Sequence, residues 1–294
     1  MVTPVVKPNG QPVVARAQIR RPARVLVGWM PEEQALHLQA SQRTDGRLPQ
    51  HVTIAATARQ AVAARPNGFN QAEAISEAPP SLEAHTNALR QLPTAGAYFN
   101  EGWNVALADL RKICALQPNV FTDHTEERTA GASTSDLDSL AGITLPLPSN
   151  AEVPAQFDQV HQAYTITSPN PNLRIVGAWG GMVPPGVLGL GFTVAVVPSF
   201  VQVAKVQGRF VLRDGYHRAY GLLRRGIFLV LAFVRDFGLQ ELGLPAGMLP
   251  QSAYLGERPP VLPDYLDDSV SIDVMLPATQ KMVVIHGVEL TPVV

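Results

Sequence analysis

A single cysteine, Cys114, among 294 residues excludes an internal disulfide framework and offers no ligand spacing for a structural zinc site. Charge is sparse too: Asp, Glu, Lys and Arg make up 16% of the chain and the formal net charge is −1. A sequence-independent nucleic-acid binder normally carries a strong basic excess or a basic face. Clusters at Arg16, Arg20, Arg21 and Arg24, and at Arg224 and Arg225, lack an interleaved aromatic platform, so nucleic-acid contact is not favoured. No apolar run approaches the roughly 18 residues of a bilayer-crossing helix; even Gly186 to Phe200 is broken by Gly189, Gly191 and Pro198. The first residues show no apolar segment after a basic one, so no signal peptide and no membrane partner are expected, and the expected location is a bacterial-type cytoplasm. A Walker phosphate loop is missing as well. Gly180-Gly181 through Pro184-Pro185-Gly186 is glycine-rich but has neither its lysine nor its hydroxyl residue, and suits tight turns and close backbone packing instead.

The chain does have enough apolar residues, 46%, for one large core or two smaller ones. Val25 to Trp29 reads as a short strand, and Pro31-Glu32-Glu33 as a helix start, since proline suits the first position and carboxylates the first turn. Further helices are expected at His51 to Ala64, Ser81 to Gln91 and Gly102 to Leu116. In the last, Trp103, Leu107, Leu110 and Cys114 mark an apolar face, making Cys114 a buried small hydrophobe. Asp123-His124 with Glu126-Glu127 reads as a solvated turn rather than a metal site, and no metal ligands can be assigned. Residues 131–154, rich in Ser, Thr, Gly and Pro, form the best boundary. It separates a mainly helical region, 1–150, from an α+β region, 151–294, whose end carries two strands, Ser271 to Leu276 and Lys281 to Leu290. These would pair with each other or complete a sheet with the central unit.

The informative stretch is Val201 to Val234. Two β-prone runs, Val201 to Val206 and Arg209 to Leu212, flank Gln207-Gly208, which is close to the pairs that favour two-residue hairpin turns. Asp214 then stands where a side-chain oxygen can accept from first-turn amides, and Ala219, Leu222 and Leu223 give the following helix an apolar side. Gly226 is placed to stop it, with Arg224 and Arg225 near the negative end of the dipole. Ile227 to Val234 returns as an apolar strand. His217 and Arg218 fall in the first turn, where free amides and the dipole disfavour positive charge by roughly 0.3–1 kcal/mol each when exposed. Such cations are either paired internally or kept for an anion, and phosphate fits because Gly215 permits close backbone approach beside the amide cradle.

Leu212-Arg213-Asp214-Gly215-Tyr216-His217-Arg218-Ala219-Tyr220, followed by Leu222-Leu223 and Arg225-Gly226-Ile227, resembles the signature of the ParB/sulfiredoxin superfamily. Its members use such a segment to hold nucleotide phosphates in chromosome-partitioning CTPases, in ATP-dependent sulfiredoxin and in free-serine kinases. The resemblance implies phosphate contacts at Gly215, His217 and Arg218, with Asp214 as the acidic residue before the glycine. Tyr216 stands where sulfiredoxin has its attacking cysteine, which argues against sulfinic acid reduction. Tyr216, His217 and Tyr220 replace a glutamate and two arginines of the CTPases, which argues against CTP hydrolysis. A kinase reaction needs a carboxylate to align the acceptor hydroxyl. Glu152, Asp158, Asp236 and Glu241 are available, and Asp236 is the first choice because it follows the buried strand.

The expected architecture is α+β: a small ParB/sulfiredoxin-like mixed sheet with helices, embedded in additional helical and strand elements. The expected function is binding of a phosphate-bearing small molecule, ATP or another nucleotide with Mg²⁺ as an accompanying ion, in a phosphotransferase or hydrolase. Gly215 would cradle phosphate, Arg218 neutralise charge, His217 donate a hydrogen bond or transfer a proton near its operating pH, and Tyr216 stack or cap. His217, Asp214 and Asp236 are then the catalytic candidates. The alternative is a non-catalytic ParB-like interaction module for protein or DNA partners. An open anion cleft at the helix start supports the first; Arg218 spent internally and an apolar patch exposed elsewhere support the second.

Overall fold

A strand that is apolar at nearly every position, as Leu229–Phe237 is, belongs in a sheet covered on both faces. The computed structural model covers both; it describes residues 5–6, 12–13, 20–40, 49–133, 136–147, 155–160, 163–168, 172–183, 187–277 and 281–286. The chain runs β1 (Val5–Val6), β2 (Pro12–Val13), β3 (Arg20–Val25), α1 (Glu32–Ala40), α2 (Pro49–Ala63), β4 (Ile75–Glu77), α3 (Glu83–Gln91) and α4 (Pro93–Asn100). It continues through β5 (Asn104–Asp109), β6 (Cys114–Ala115), β7 (Asn119–Phe121), α5 (Thr122–Arg128), α6 (Leu137–Thr144), β8 (Ala155–Asp158), β9 (Ala163–Ser168), β10 (Leu173–Val183) and β11 (Val187–Val196). Last come β12 (Gln202–Val206), β13 (Arg209–Asp214), α7 (Tyr216–Arg224), β14 (Leu229–Phe237), α8 (Gln251–Tyr254), β15 (Ile272–Pro277) and β16 (Lys281–His286). The result is a mixed α+β architecture. None of the described helices is long and apolar enough to cross a membrane.

The chain divides into two compact units, residues 1–147 with 200–278, and residues 148–199 with 279–294. In the first, six strands lie in the order β4-β5-β14-β12-β13-β6. The hairpin β12–β13 is antiparallel, and α7 carries the chain across to β14, which runs parallel to β12. Such a parallel return needs a crossover, and the helix supplies it. Along β14, Val230 and Ala232 join the larger core with Ala219, Leu222 and Leu223 of α7. Leu231 and Phe233 alternate onto the opposite face and join Leu82, Leu89, Trp103 and Phe200. Tyr98 stacks on Phe233 there at 5.1 Å, with Phe200 edge-on at 5.2 Å. A second antiparallel sheet, β15-β3-β7, flanks α5 and α1.

This sheet cannot be built from residues 151–294 alone, because β5 pairs with β14 and β6 with β13. The N-terminal residues supply integral strands rather than a separate helical region. Gly102 to Leu116, expected as a helix, is instead β5, a 3₁₀ turn at Leu110–Lys112, and β6. Its apolar residues also fit a period of two: Val105 and Leu107 pack on one cluster, and Ala108 on the other. Neighbouring strands on both sides decide the matter against helix propensity. Asp109 ends the strand by accepting from the Arg111 amide at 3.0 Å. β3 ends at Val25, and Val27–Trp29, expected as strand, is a 3₁₀ turn. The two C-terminal strands do not pair with each other: β15 joins β3, and β16 joins β9.

The second unit is all β among its described residues. It has the antiparallel sheet β16-β9-β8 and the long hairpin β10–β11, where Leu173 pairs with Val196 and Val183 with Val187.

At the β12–β13 turn, Gln207 has φ +50° and Gly208 φ +79°, the signature of the two-residue primed turn whose twist matches the strands. Glutamine is a poor occupant of that first position. Gln207→Asn is therefore expected to raise stability by about 0.5–1 kcal/mol, read as a higher urea midpoint at unchanged slope.

Candidate functional site

The hairpin, turn, helix and strand expected over residues 201–234 are all present, and the helix stop is a complete Schellman motif. Gly226 has φ +73°, its amide donates to Leu223 at 3.0 Å, and Ile227 donates to Leu222 at 2.9 Å. The start differs from expectation. Gly215, not Asp214, is the N-cap, with φ +98°. Asp214 accepts from the Gly215 amide at 2.6 Å and leaves the first-turn amides uncapped. A side chain at Gly215 would meet Val201 at 2.8 Å, so glycine is fixed here by fold as well as by φ.

Tyr216 points into the core. Its hydroxyl accepts from the amides of Leu116 at 2.7 Å and Gln117 at 3.1 Å and donates to the Leu212 carbonyl. Burial raises its pKa, and the ring lies edge-on to Tyr265. It is a strut between the β13–α7 segment and the chain at Leu116 and Gln117.

Arg218 is 4% exposed. Its Nη1 donates to the Ile143 and Thr144 carbonyls at 3.2 and 3.3 Å, the last residues of α6, where the dipole is negative; the Thr144 carbonyl also accepts from the Val201 amide at 2.9 Å. Burial pushes the guanidinium down to about 10, with Asp214 opposing the shift and Arg128 adding to it. The first-turn cation is thus compensated by a second helix's end.

His217 stacks flat on Phe121, centroids 6.0 Å apart and planes at 4°, and meets His124 edge-on at 5.6 Å. Its Nε2 is buried with no hydrogen-bond partner among the described residues. Burial first, then Arg128, His124 and Arg218, push the ring from 6.5 to about 3. That is well below the range in which an imidazole exchanges its proton readily near pH 7. Cations crowd this end of α7: burial also lowers Arg128 and His124, the latter beside Arg21, which contacts its Nε2 and holds Asp123 at 2.6 Å.

Of the carboxylate candidates in the first unit, Asp236 lies away from the start of α7. Asp236 is exposed, 3.6 Å from Lys205 of β12. Phe233 is in register with Gln202, next to the helix start, whereas Asp236 is in register with Lys205 near the hairpin turn. The three-residue offset is about 10 Å along the strand. Glu241 accepts from the Gly238 amide at 2.8 Å, and Asp158 from Val160 at 2.9 Å. Glu152 and His161 lie outside the described residues. Among those residues no three His, Cys, Asp or Glu side chains form a metal-ligand group. Cys114 is buried in β6, its thiol pushed up to about 12 by desolvation.

Sequence reasoning missed α5. Its Glu126 holds Arg224 at 2.8 Å and Arg225 at 3.1 Å, and a side chain at Gly221 would meet Thr129 at 2.7 Å, so α5 and α7 pack at a glycine. Thr122-Asp123 was a readable helix start, but seven residues give no apolar period. A pocket of about 370 Å³ sits farther along α7 at Tyr220 and Arg224, lined also by Arg24, Tyr265, Asp268 and Asp273. Arg24 is satisfied within it, donating to Tyr265 at 2.8 Å and Asp268 at 2.7 Å. No protein-family model matches the chain, and neither a curated protein nor a solved structure does.

Two outcomes follow from this geometry. Tyr216→Phe should cost about 2–3 kcal/mol in denaturant unfolding, since it strands two amides and a carbonyl. For His217, the folded pKa lies below the unfolded one, so the unfolded chain binds more protons between 6.5 and about 3. The stability conferred by the neutral ring is fully present above pH 6.5 and lost as pH falls through that window, by at most about 1.4 kcal/mol per pH unit. The melting temperature of His217→Phe should therefore fall less between pH 7 and pH 5 than that of the wild type.

Proposed function

We propose that this protein is a non-catalytic interaction module, built on a ParB/sulfiredoxin-like hairpin–helix–strand core whose phosphate segment has become a packing device. The observation that carries the reading is a pairing of opposites. Arg218 and Tyr216 are consumed by the interior, while the second unit leaves Trp179 66% and Phe192 41% exposed on a hairpin. Scattered apolar exposure is ordinary, but several large residues on one element mark an interaction surface. Its near neutrality favours a protein partner over nucleic acid.

The second reading, a phosphate or nucleotide site for ATP with Mg²⁺, rests on a different observation. Arg128 and Arg218 both help lower His217, and an anion placed beside these like charges relieves them. Calorimetric titration with ATP, ADP and CTP, with and without Mg²⁺, separates the two. The module is expected to show no saturable heat at ligand concentrations on the order of a millimolar. Saturable binding that Arg128→Ala abolishes would overturn the module in favour of the nucleotide site. Arg128 is the better probe because Arg218→Ala would also uncap α6.

A further inference from the structure

Edge strands of soluble proteins are normally kept short or guarded by charge, proline or a bulge, because a row of open backbone groups accepts any other strand. β11 has none of the first three. It is ten residues long, VLGLGFTVAV, without a charged residue or a proline. Its inner edge is taken by β10, from Leu173↔Val196 to Val183↔Val187, with the one register shift on the β10 side between Ile175 and Gly177. Among the described residues no strand pairs its outer edge. At about 3.4 Å per residue that edge is about 34 Å long.

Charge narrows the choice of partner. Between Asp158 and Lys205 the only Asp, Glu, Lys or Arg is Arg174, which is paired in register with Ala195 at the base of the hairpin. Nothing here attracts an acidic or basic peptide or a phosphate backbone, and an uncharged edge is complementary to an uncharged edge. The strand is also complementary to itself. Phe192, Val194 and Val196 alternate with Thr193 and Ala195, so an antiparallel copy related by a twofold axis at Phe192 sets like positions on like faces. The axis keeps the two Arg174 side chains at opposite ends. Both faces take part, since Phe192 and Ile175 are exposed on one and Trp179, which covers Gly191, on the other.

We infer that the outer edge of β11 pairs antiparallel with β11 of a second copy of this chain, joining two hairpins into one four-stranded sheet. The inference rests on the interaction-module reading and names its partner.

Sedimentation velocity on the full chain at micromolar concentrations, with Phe192→Lys, Thr193→Lys and Val160→Lys variants, tests it. All three positions are exposed, so the variants should keep the wild-type circular dichroism spectrum. The wild type is expected at twice 31.6 kDa. Phe192→Lys and Thr193→Lys, on opposite faces, should each return it to the monomer, because edge pairing sets each lysine near its copy. Val160→Lys, outside the hairpin, should leave the dimer intact. A monomeric wild type overturns the inference, as does a dimer that either hairpin variant leaves whole, since face-to-face packing would respond to one of them only. Flotation of a monomeric wild type with phosphatidylcholine vesicles also overturns it and assigns the hairpin to lipid. A monomer that binds no nucleotide defeats the self-pairing alone, whereas Arg128-dependent nucleotide binding defeats the module reading itself.

Discussion

The Tyr216 hydroxyl ties the β13–α7 segment to a piece of chain 100 residues earlier in sequence. It takes the amides of Leu116 and Gln117, at the end of the N-terminal strands, and gives its proton to Leu212 in β13. Those amides are where the chain leaves β6, the outermost strand of the six-stranded sheet. With Gly215 closed on Val201 and Arg218 fixed to the end of α6, the first turn of α7 ties together the hairpin, α6 and, through the Phe233 amide on the Val201 carbonyl, the buried strand β14. Each bond is worth little net, but leaving any of these buried groups unmade costs more than making it gains. The segment is therefore constrained as a unit.

That constraint is enough to fix the Asp-Gly-Tyr-His-Arg residue types by packing. Arginine at a helix start normally calls for an anion, and here the carbonyls of α6 and the Asp214 carboxylate share that task. His217 is held neutral against Phe121 and serves as an aromatic plate. Asp214, His217 and Arg218 could each serve an anion, yet the role proposed for them is packing, and in that proposal recognition passes to a hairpin with almost no charge.

Much of this was legible in the sequence where local chemistry decides it. Gln207-Gly208, Gly226 and the alternation of α7 fixed a turn, a stop and a buried face through backbone preference and period, which need no knowledge of neighbours. Gly102 to Leu116 was misread because small alternating residues such as Ala106 and Ala108 satisfy a helix and a central strand equally well, and pairing with β4 and β14 chose between them. The burial of Arg218 was illegible for a related reason. Its partners, Ile143 and Thr144, are remote in sequence and offer only backbone oxygen. Asp236 looked close to the helix because it follows its strand, but strand direction carries it toward the opposite end of the sheet.

If the Asp-Gly-Tyr-His-Arg segment is occupied by the fold, the His217 ring is buried and uncharged. An NMR titration of the His217 ring resonances, with and without inorganic phosphate, reads that state directly. The ring is expected to stay neutral to well below pH 5, with resonances that phosphate does not move. A His217 that titrates near 6.5, or whose pKa rises when phosphate is added, would contradict it.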